Sequence, residues 1–274
     1  MSKLLPLLSL LALSVAVTAE PLIKDAREEI YRQVGDIELK AYILGESDPK
    51  SPKPAIVFFF GGGWKGGKIQ QFERHAHHLS ERGMIAILAD YRVKSRHQVK
   101  PVECVKDAKA CLDWIRKNSE RLAILPDKIC AAGGSAGGHL AVATGTLPGL
   151  GSEERPNAMI LFNPVAQLAD WEEWNGERYA EDRDLGIPPL QLCPTNHAGA
   201  HSAPTLIFHG TSDTTVPFSS AQALEAALKK AKQPVKLVPY PGRGHGFFNR
   251  GKDFEDTLKK SDEFLVELGW IPKN

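Results

Sequence analysis

The chain is expected to fold as an α/β protein, with a mostly parallel sheet of about eight strands covered by helices on both faces. Three observations predict this. Continuous apolar runs such as Pro54–Phe60 and Ala158–Phe162 lack the apolar/polar alternation of a half-exposed strand, so both of their faces must be covered. Runs of this kind alternate with segments of helical period, the arrangement of a parallel sheet with crossover helices. The 274 residues, 42% hydrophobic and 24% charged, suit one globular domain with a large core.

In chain order, Glu29–Val34 and Ile37–Leu44 read as two strands joined by a Gly-Asp turn, an antiparallel opening. Pro54–Phe60 is the first fully apolar strand; Gln71–Arg82 carries helical period, Met84–Asp90 is a strand and Pro101–Asn118 a helix. Lys128–Ala132 is the next strand, Ala136–Thr146 a helix and Ala158–Phe162 a strand. Thr205–His209 and Val235–Val238 are strands flanking a helix over Ser219–Ala231, and Asp253–Leu268 closes the chain as a helix. Residues 163–203 break the rhythm with Trp171, Trp174, prolines and glycines, and no long period. A segment of that length between core strands is usually functional or a cap over a site, so substrate selection is placed there.

The first residues stand apart from the fold. Lys3 precedes an apolar run from Leu4 to Val17, and Val17-Thr18-Ala19 offers small residues where signal peptidase cleaves. Residues 1–19 read as a signal peptide and 20–274 as one catalytic domain, secreted or periplasmic. The run is shorter than the roughly 20 residues of a membrane span, so no stable membrane anchor is expected. Lys and Arg number 34 against 33 Asp and Glu, which gives no electrostatic case for nucleic acid or an anionic membrane as partner.

Four cysteines in an exported chain raise the question of disulfides. Cys104 and Cys111 share one predicted helix about 10 Å apart, too far to bridge. Cys130 lies in an apolar strand as a small hydrophobe, and Cys193 is the loop cysteine whose pairing stays open. None has the close Cys/His spacing of a zinc site, and no metal or cofactor is expected.

The chemistry gathers at strand ends. Gly133-Gly134-Ser135-Ala136-Gly137 follows a strand and opens a helix, the setting in which a Gly-X-Ser-X-Gly turn exposes a nucleophilic serine. Residues without bulk beside the serine let strand and helix approach closely. Such a serine needs a base and a group to orient that base, in the order Ser, Asp or Glu, His. Asp213 lies in His209-Gly210-Thr211-Ser212-Asp213, directly after a strand. His245 lies in Gly242-Arg243-Gly244-His245-Gly246-Phe247, after the next one. Loops at the carboxyl ends of parallel strands are where α/β sheets hold catalytic groups. Asp182 and Asp184 are weaker acids for the role, having no strand before them. Gly61-Gly62-Gly63-Trp64 follows the first apolar strand, and the N–H groups of Gly62 and Gly63, with that of Ala136, are the expected oxyanion donors.

Trp64 and Asn163 are candidate substrate-binding residues, Trp64 beside the glycine loop and Asn163 just past its strand. His75, His77 and His78 cluster on a predicted helix but lack a third ligand type, so a solvated face is expected. His139, one turn beyond Ser135, reads as helix packing.

Taken together, Phe58–Trp64, Asp90-Tyr91-Arg92, Gly133–Leu140, His209–Pro217 and Gly242–Phe247 resemble the esterase/lipase branch of the α/β-hydrolase superfamily. Within it the chain is similar to secreted esterases related to acetylxylan and feruloyl esterases, and more distantly to the hormone-sensitive-lipase group, over about residues 54–270. Phe60 stands where the latter has a histidine before its glycines; backbone donors survive that change. The resemblance implies an α/β-hydrolase fold and a serine carboxylesterase acting on short acyl esters, such as acetyl or feruloyl groups of polysaccharides. The same triad also cleaves amides, which leaves a prolyl-oligopeptidase-like peptidase as the rival enzyme, and a non-catalytic binding module as the rival outside enzymes.

Overall fold

The computed structural model describes residues 22–168 and 184–273. The expected leader, and Trp171, Trp174 and Asp182 of the irregular segment, lie outside these residues. Among the described residues no helix is long and apolar enough to cross a membrane.

Among the described residues the first strands are β1 (Arg27–Val34) and β2 (Ile37–Leu44), paired antiparallel across a tight turn at Gly35-Asp36. The parallel part follows: β3 (Lys53–Phe59), β4 (Ile85–Ala89), β5 (Ile124–Gly134), β6 (Ala158–Phe162), β7 (Thr205–Gly210) and β8 (Val235–Tyr240). The eight strands lie in the order β1-β2-β4-β3-β5-β6-β7-β8, with β2 antiparallel to β4 and every later pair parallel. This is the α/β-hydrolase fold.

Every residue of β4, β6 and β7 is buried, as continuous apolar runs demand. Helices Glu73–Glu81, Pro101–Lys117, Ala136–Thr146, Phe218–Lys230 and Gly251–Glu267 cover the sheet. The helix over Ala136–Thr146 is buried along its whole length and has almost no bulky side chains. Small residues let it lie directly on the sheet: a Cβ at Gly145 would meet Met159 Sδ at 2.6 Å.

The segment before Ala136 was expected to start its strand at Lys128, yet β5 already pairs with β3 at Ile124. Pro126 and Asp127 interrupt the apolar run, and the register shifts between Lys53 and Ala55 to accommodate them. The helix expected from Gln71 begins instead as a 3₁₀ turn over Ile69–Phe72. His75 is a correction. It is buried rather than solvated, with its ring centroid 4.7 to 6.1 Å from those of Phe58, Phe72, Phe162 and Phe254. The inner face of its helix, His75, Ala76 and Leu79, packs on the sheet. Burial depresses the His75 pKa to about 3, which keeps the ring neutral. His78 turns outward and meets Asp262 at 2.9 Å. Cys104, Cys111, Cys130 and Cys193 are all buried free thiols.

Candidate active site

Ser135 sits between β5 and the helix over Ala136–Thr146 with φ 57° and ψ −121°, a conformation few non-glycine residues adopt. Such strain costs on the order of 1–3 kcal/mol and persists only where the surroundings enforce it. Here they do. Ser135 N–H donates to Phe162 O at 2.8 Å, and Ser135 C=O accepts from His139 N at 2.9 Å. The flanking glycines are sterically required: a Cβ at Gly137 would lie 2.0 Å from Phe59 O, and one at Gly133 2.4 Å from Gly137 O.

Asp213 and His245 come from the loops after β7 and β8. Gly210 lets these loops touch, since a Cβ there would meet Arg243 O at 2.3 Å. His245 Nδ1 donates to Asp213 Oδ2 at 2.7 Å. Asp213 Oδ1 accepts from Thr215 N and Val216 N, each at 2.9 Å. On its buried side, His209 Nε2 donates to Val216 O at 2.8 Å and stands 3.5 Å from Asp213 Oδ2. Burial opposes ionisation of Asp213, but the bonds from His209, His245 and Val216 N–H outweigh it and hold the carboxyl far below its ordinary range. Asp213 is therefore an anion that fixes the His245 tautomer and leaves Nε2 free.

Ser135 and His245 line one cavity of about 700 Å³, together with Gly61, Gly62 and Gly63. No hydrogen bond joins the two side chains at rest; catalytic bonds of this kind often tighten only with substrate bound. Val165, Val216 and Phe248 form apolar parts of the wall. Val165 belongs to the irregular segment, so that segment does reach the cavity.

The glycine loop is braced from below. Phe60 stacks on Tyr91 at 4.2 Å between ring centroids, and its carbonyl accepts from Tyr91 Oη at 2.6 Å. Gly62 has φ +136° and Gly63 +61°, and a Cβ at Gly62 would overlap Gly66 O at 2.2 Å. Among the described residues nothing accepts from the N–H of Gly62, Gly63 or Ala136. The N–H of Gly61, by contrast, is taken by Gln71 Oε1 at 2.6 Å. Three free backbone donors thus stand near a serine backed by an imidazole–carboxylate pair, an arrangement suited to stabilising an oxyanion.

The two expected substrate-binding residues lie away from the Ser135 cavity. Trp64 is buried and sets its ring edge-on against His139, 5.2 Å between centroids, facing a separate cavity of about 220 Å³ with Lys94 and Lys100. Asn163 is fully buried with φ 42°, its N–H bound to Phe208 O, and does not line the Ser135 cavity. His139 packs as expected within the fold: it is buried, its Nε2 donates to Leu192 O at 2.9 Å, and burial lowers its pKa to about 4. Sequence reasoning missed Gln71, His209 and Asn249. Nothing local marks them, because each acts through a partner distant in the chain or across a turn.

A family model described as BD-FAE matches residues 42–228. The chain is 26% identical to esterase LipC of Mycobacterium tuberculosis over 73% of its own length and 54% of the relative's. It is 26% identical to an acetylxylan esterase of Xylanibacter ruminicola over 81% of its length and 46% of that protein's. The chain thus spans about half the length of these curated relatives. Among solved structures, a thermophilic esterase of Thermogutta terrifontis, Est2, in a propionate-bound form is 43% identical, with TM-score 0.86, over 93% of this chain and 98% of that one.

Proposed function

Because the chain belongs to the BD-FAE family, within the esterase/lipase branch of the α/β-hydrolases, we propose that it is a serine carboxylic-ester hydrolase working through an acyl-enzyme. One observation carries the reading: Ser135, strained at the mouth of β5, opens on the same cavity as an imidazole held by an ionised Asp213 at 2.7 Å. Ser135 Oγ attacks the ester carbonyl carbon while His245 Nε2 takes its proton. The N–H groups of Gly62, Gly63 and Ala136 receive the developing oxyanion. The C–O bond of the ester then breaks, and His245 returns the proton to the departing alcohol. Water, deprotonated by His245, attacks the acyl-serine, and the carboxylic acid leaves as Ser135 regains its proton. Asp213 stays ionised throughout and stabilises the imidazolium.

Short acyl esters are the proposed substrates. Support comes from the cavity wall of Val165, Val216 and Phe248, and from the propionate-bound form of the Thermogutta esterase. Acetyl or feruloyl groups on polysaccharides are the natural class we favour, in keeping with the acetylxylan esterase relative. The run from Leu4 to Val17 supports export of the enzyme. Ser135→Ala is expected to fold normally and to lose nearly all hydrolysis of p-nitrophenyl acetate; full activity in that variant would overturn the assignment.

A further inference from the structure

The oxyanion loop and the histidine loop leave the sheet at β3 and β8, four strand positions apart, or about 19 Å at the usual inter-strand spacing. Both must nevertheless converge over Ser135 with sub-ångström consistency, because donor and base act on the same tetrahedral centre. Packing of Phe72 on Phe248 brings the two regions together but is indifferent to small slides. A directional link is also present. Gly61 N–H donates to Gln71 Oε1 at 2.6 Å, Gln71 Nε2 donates to Asn249 Oδ1 at 3.2 Å, and Asn249 Nδ2 donates to Gly246 O at 2.9 Å.

The chemistry of the two ends fixes the direction of this chain. A backbone N–H at Gly61 needs an acceptor, so the carboxamide oxygen of Gln71 must face it and the NH₂ must face Asn249. The Gly246 carbonyl, which also takes the Asn249 backbone N–H at 3.2 Å, can only accept, so the Asn249 NH₂ faces it and the Asn249 oxygen turns toward Gln71. Both amides are thus locked in one orientation by groups that cannot change sign. Gly61 adjoins the expected donors Gly62 and Gly63, and Gly246 adjoins His245; both side chains face the cavity.

Resting on the ester-hydrolase reading above, we propose that Gln71 and Asn249 are positioning residues, a two-amide strut that sets the distance between the oxyanion donors and the His245 base. Neither touches the reacting atoms. Their effect falls on kcat, since the geometry they hold matters when charge develops, and little on KM.

The test uses the whole protein with Gln71→Glu, Asn249→Ala and the double variant, followed by kcat, KM and thermal midpoint. Glutamate still accepts from Gly61 N–H but, ionised, cannot donate to Asn249. Alanine at position 249 neither accepts from Gln71 nor donates to Gly246, and it adds no charge beside the introduced glutamate. Each single variant is expected to lose about 10-fold in kcat with KM within about twofold, as for a modest misplacement of catalytic groups. The double variant should lose less than the product of the singles, because each breaks one shared chain. Gln71→Glu carries a further signature: protonation below about pH 4.5 restores its donor, so the ratio of its kcat to that of wild type rises as pH falls toward that value. Variants within twofold of an active wild type, or losses that multiply and show no pH-dependent recovery, would overturn the strut alone. A wild type without Ser135-dependent turnover would overturn the ester-hydrolase reading and the strut with it.

Discussion

Gly137→Ala separates steric necessity from helix propensity. Alanine inside a helix is ordinarily about 1 kcal/mol better than glycine, so propensity alone predicts a more stable protein. At Gly137 the added Cβ lies 2.0 Å from Phe59 O and 2.4 Å from Phe60 O, backbone oxygens at the end of β3 and just past it. Ordinary contact near 3.5 Å requires the helix to retreat by roughly 1.5 Å. Overpacking against backbone, net of the propensity gain, is expected to cost about 3 kcal/mol. In a domain of this size that lowers Tm by about 6–12 °C. The retreat also carries Ser135 away from the oxyanion donors, and a misplacement of about 1 Å costs about 10²-fold in turnover. Gly244→Ala is the companion: its Cβ meets nothing closer than Ser212 O at 3.9 Å, and its φ is not in the left-handed region. Its Tm should stay within about 2 °C of wild type. Circular-dichroism melting and p-nitrophenyl butyrate turnover on both variants decide the matter. A Gly137→Ala protein that melts at or above the wild-type temperature with full turnover would refute the close-approach argument.

Three other outcomes follow from the site and from the expected leader. Asp213→Asn should lose about 10⁴-fold in kcat, because an amide no longer fixes the His245 tautomer or stabilises the imidazolium; loss under tenfold in steady-state assays would contradict its role. The folded-state pKa of Asp213 lies below its unfolded value, so the stability it contributes is present above about pH 3.9 and is lost as pH falls below it. Urea unfolding from pH 3 to 6 should accordingly show a shallower acid decline in Asp213→Asn than in wild type. Protein recovered after expression with its leader should begin at Glu20; an intact Met1 on exported protein would contradict cleavage after Ala19.

Much of the fold was readable because buried parallel strands announce themselves as unbroken apolar runs. Ala158–Phe162 and the helix Ala136–Thr146 fall where periodicity predicted. The early start of β5 at Ile124 was hidden by Pro126 and Asp127, which read locally as a turn, while pairing to β3 keeps them in the strand. His75 misled for a related reason: helical period does not reveal which way a polar ring faces when four phenylalanines supply the pocket. Asp213 and His245 were legible through their position after strands. Gln71 and Asn249 were not, since they meet across 178 residues and their partners are backbone groups of other loops. Trp64 and Asn163 looked exposed to the site by sequence proximity, but both side chains are buried.

The most direct test of the central claim is to treat the folded protein with a fluorophosphonate and map the adduct by peptide mass spectrometry. The account predicts one stoichiometric adduct on the peptide containing Ser135, formed more slowly in His245→Ala. An actively hydrolysing wild type that leaves Ser135 unlabelled, or carries the adduct on another residue, would contradict it.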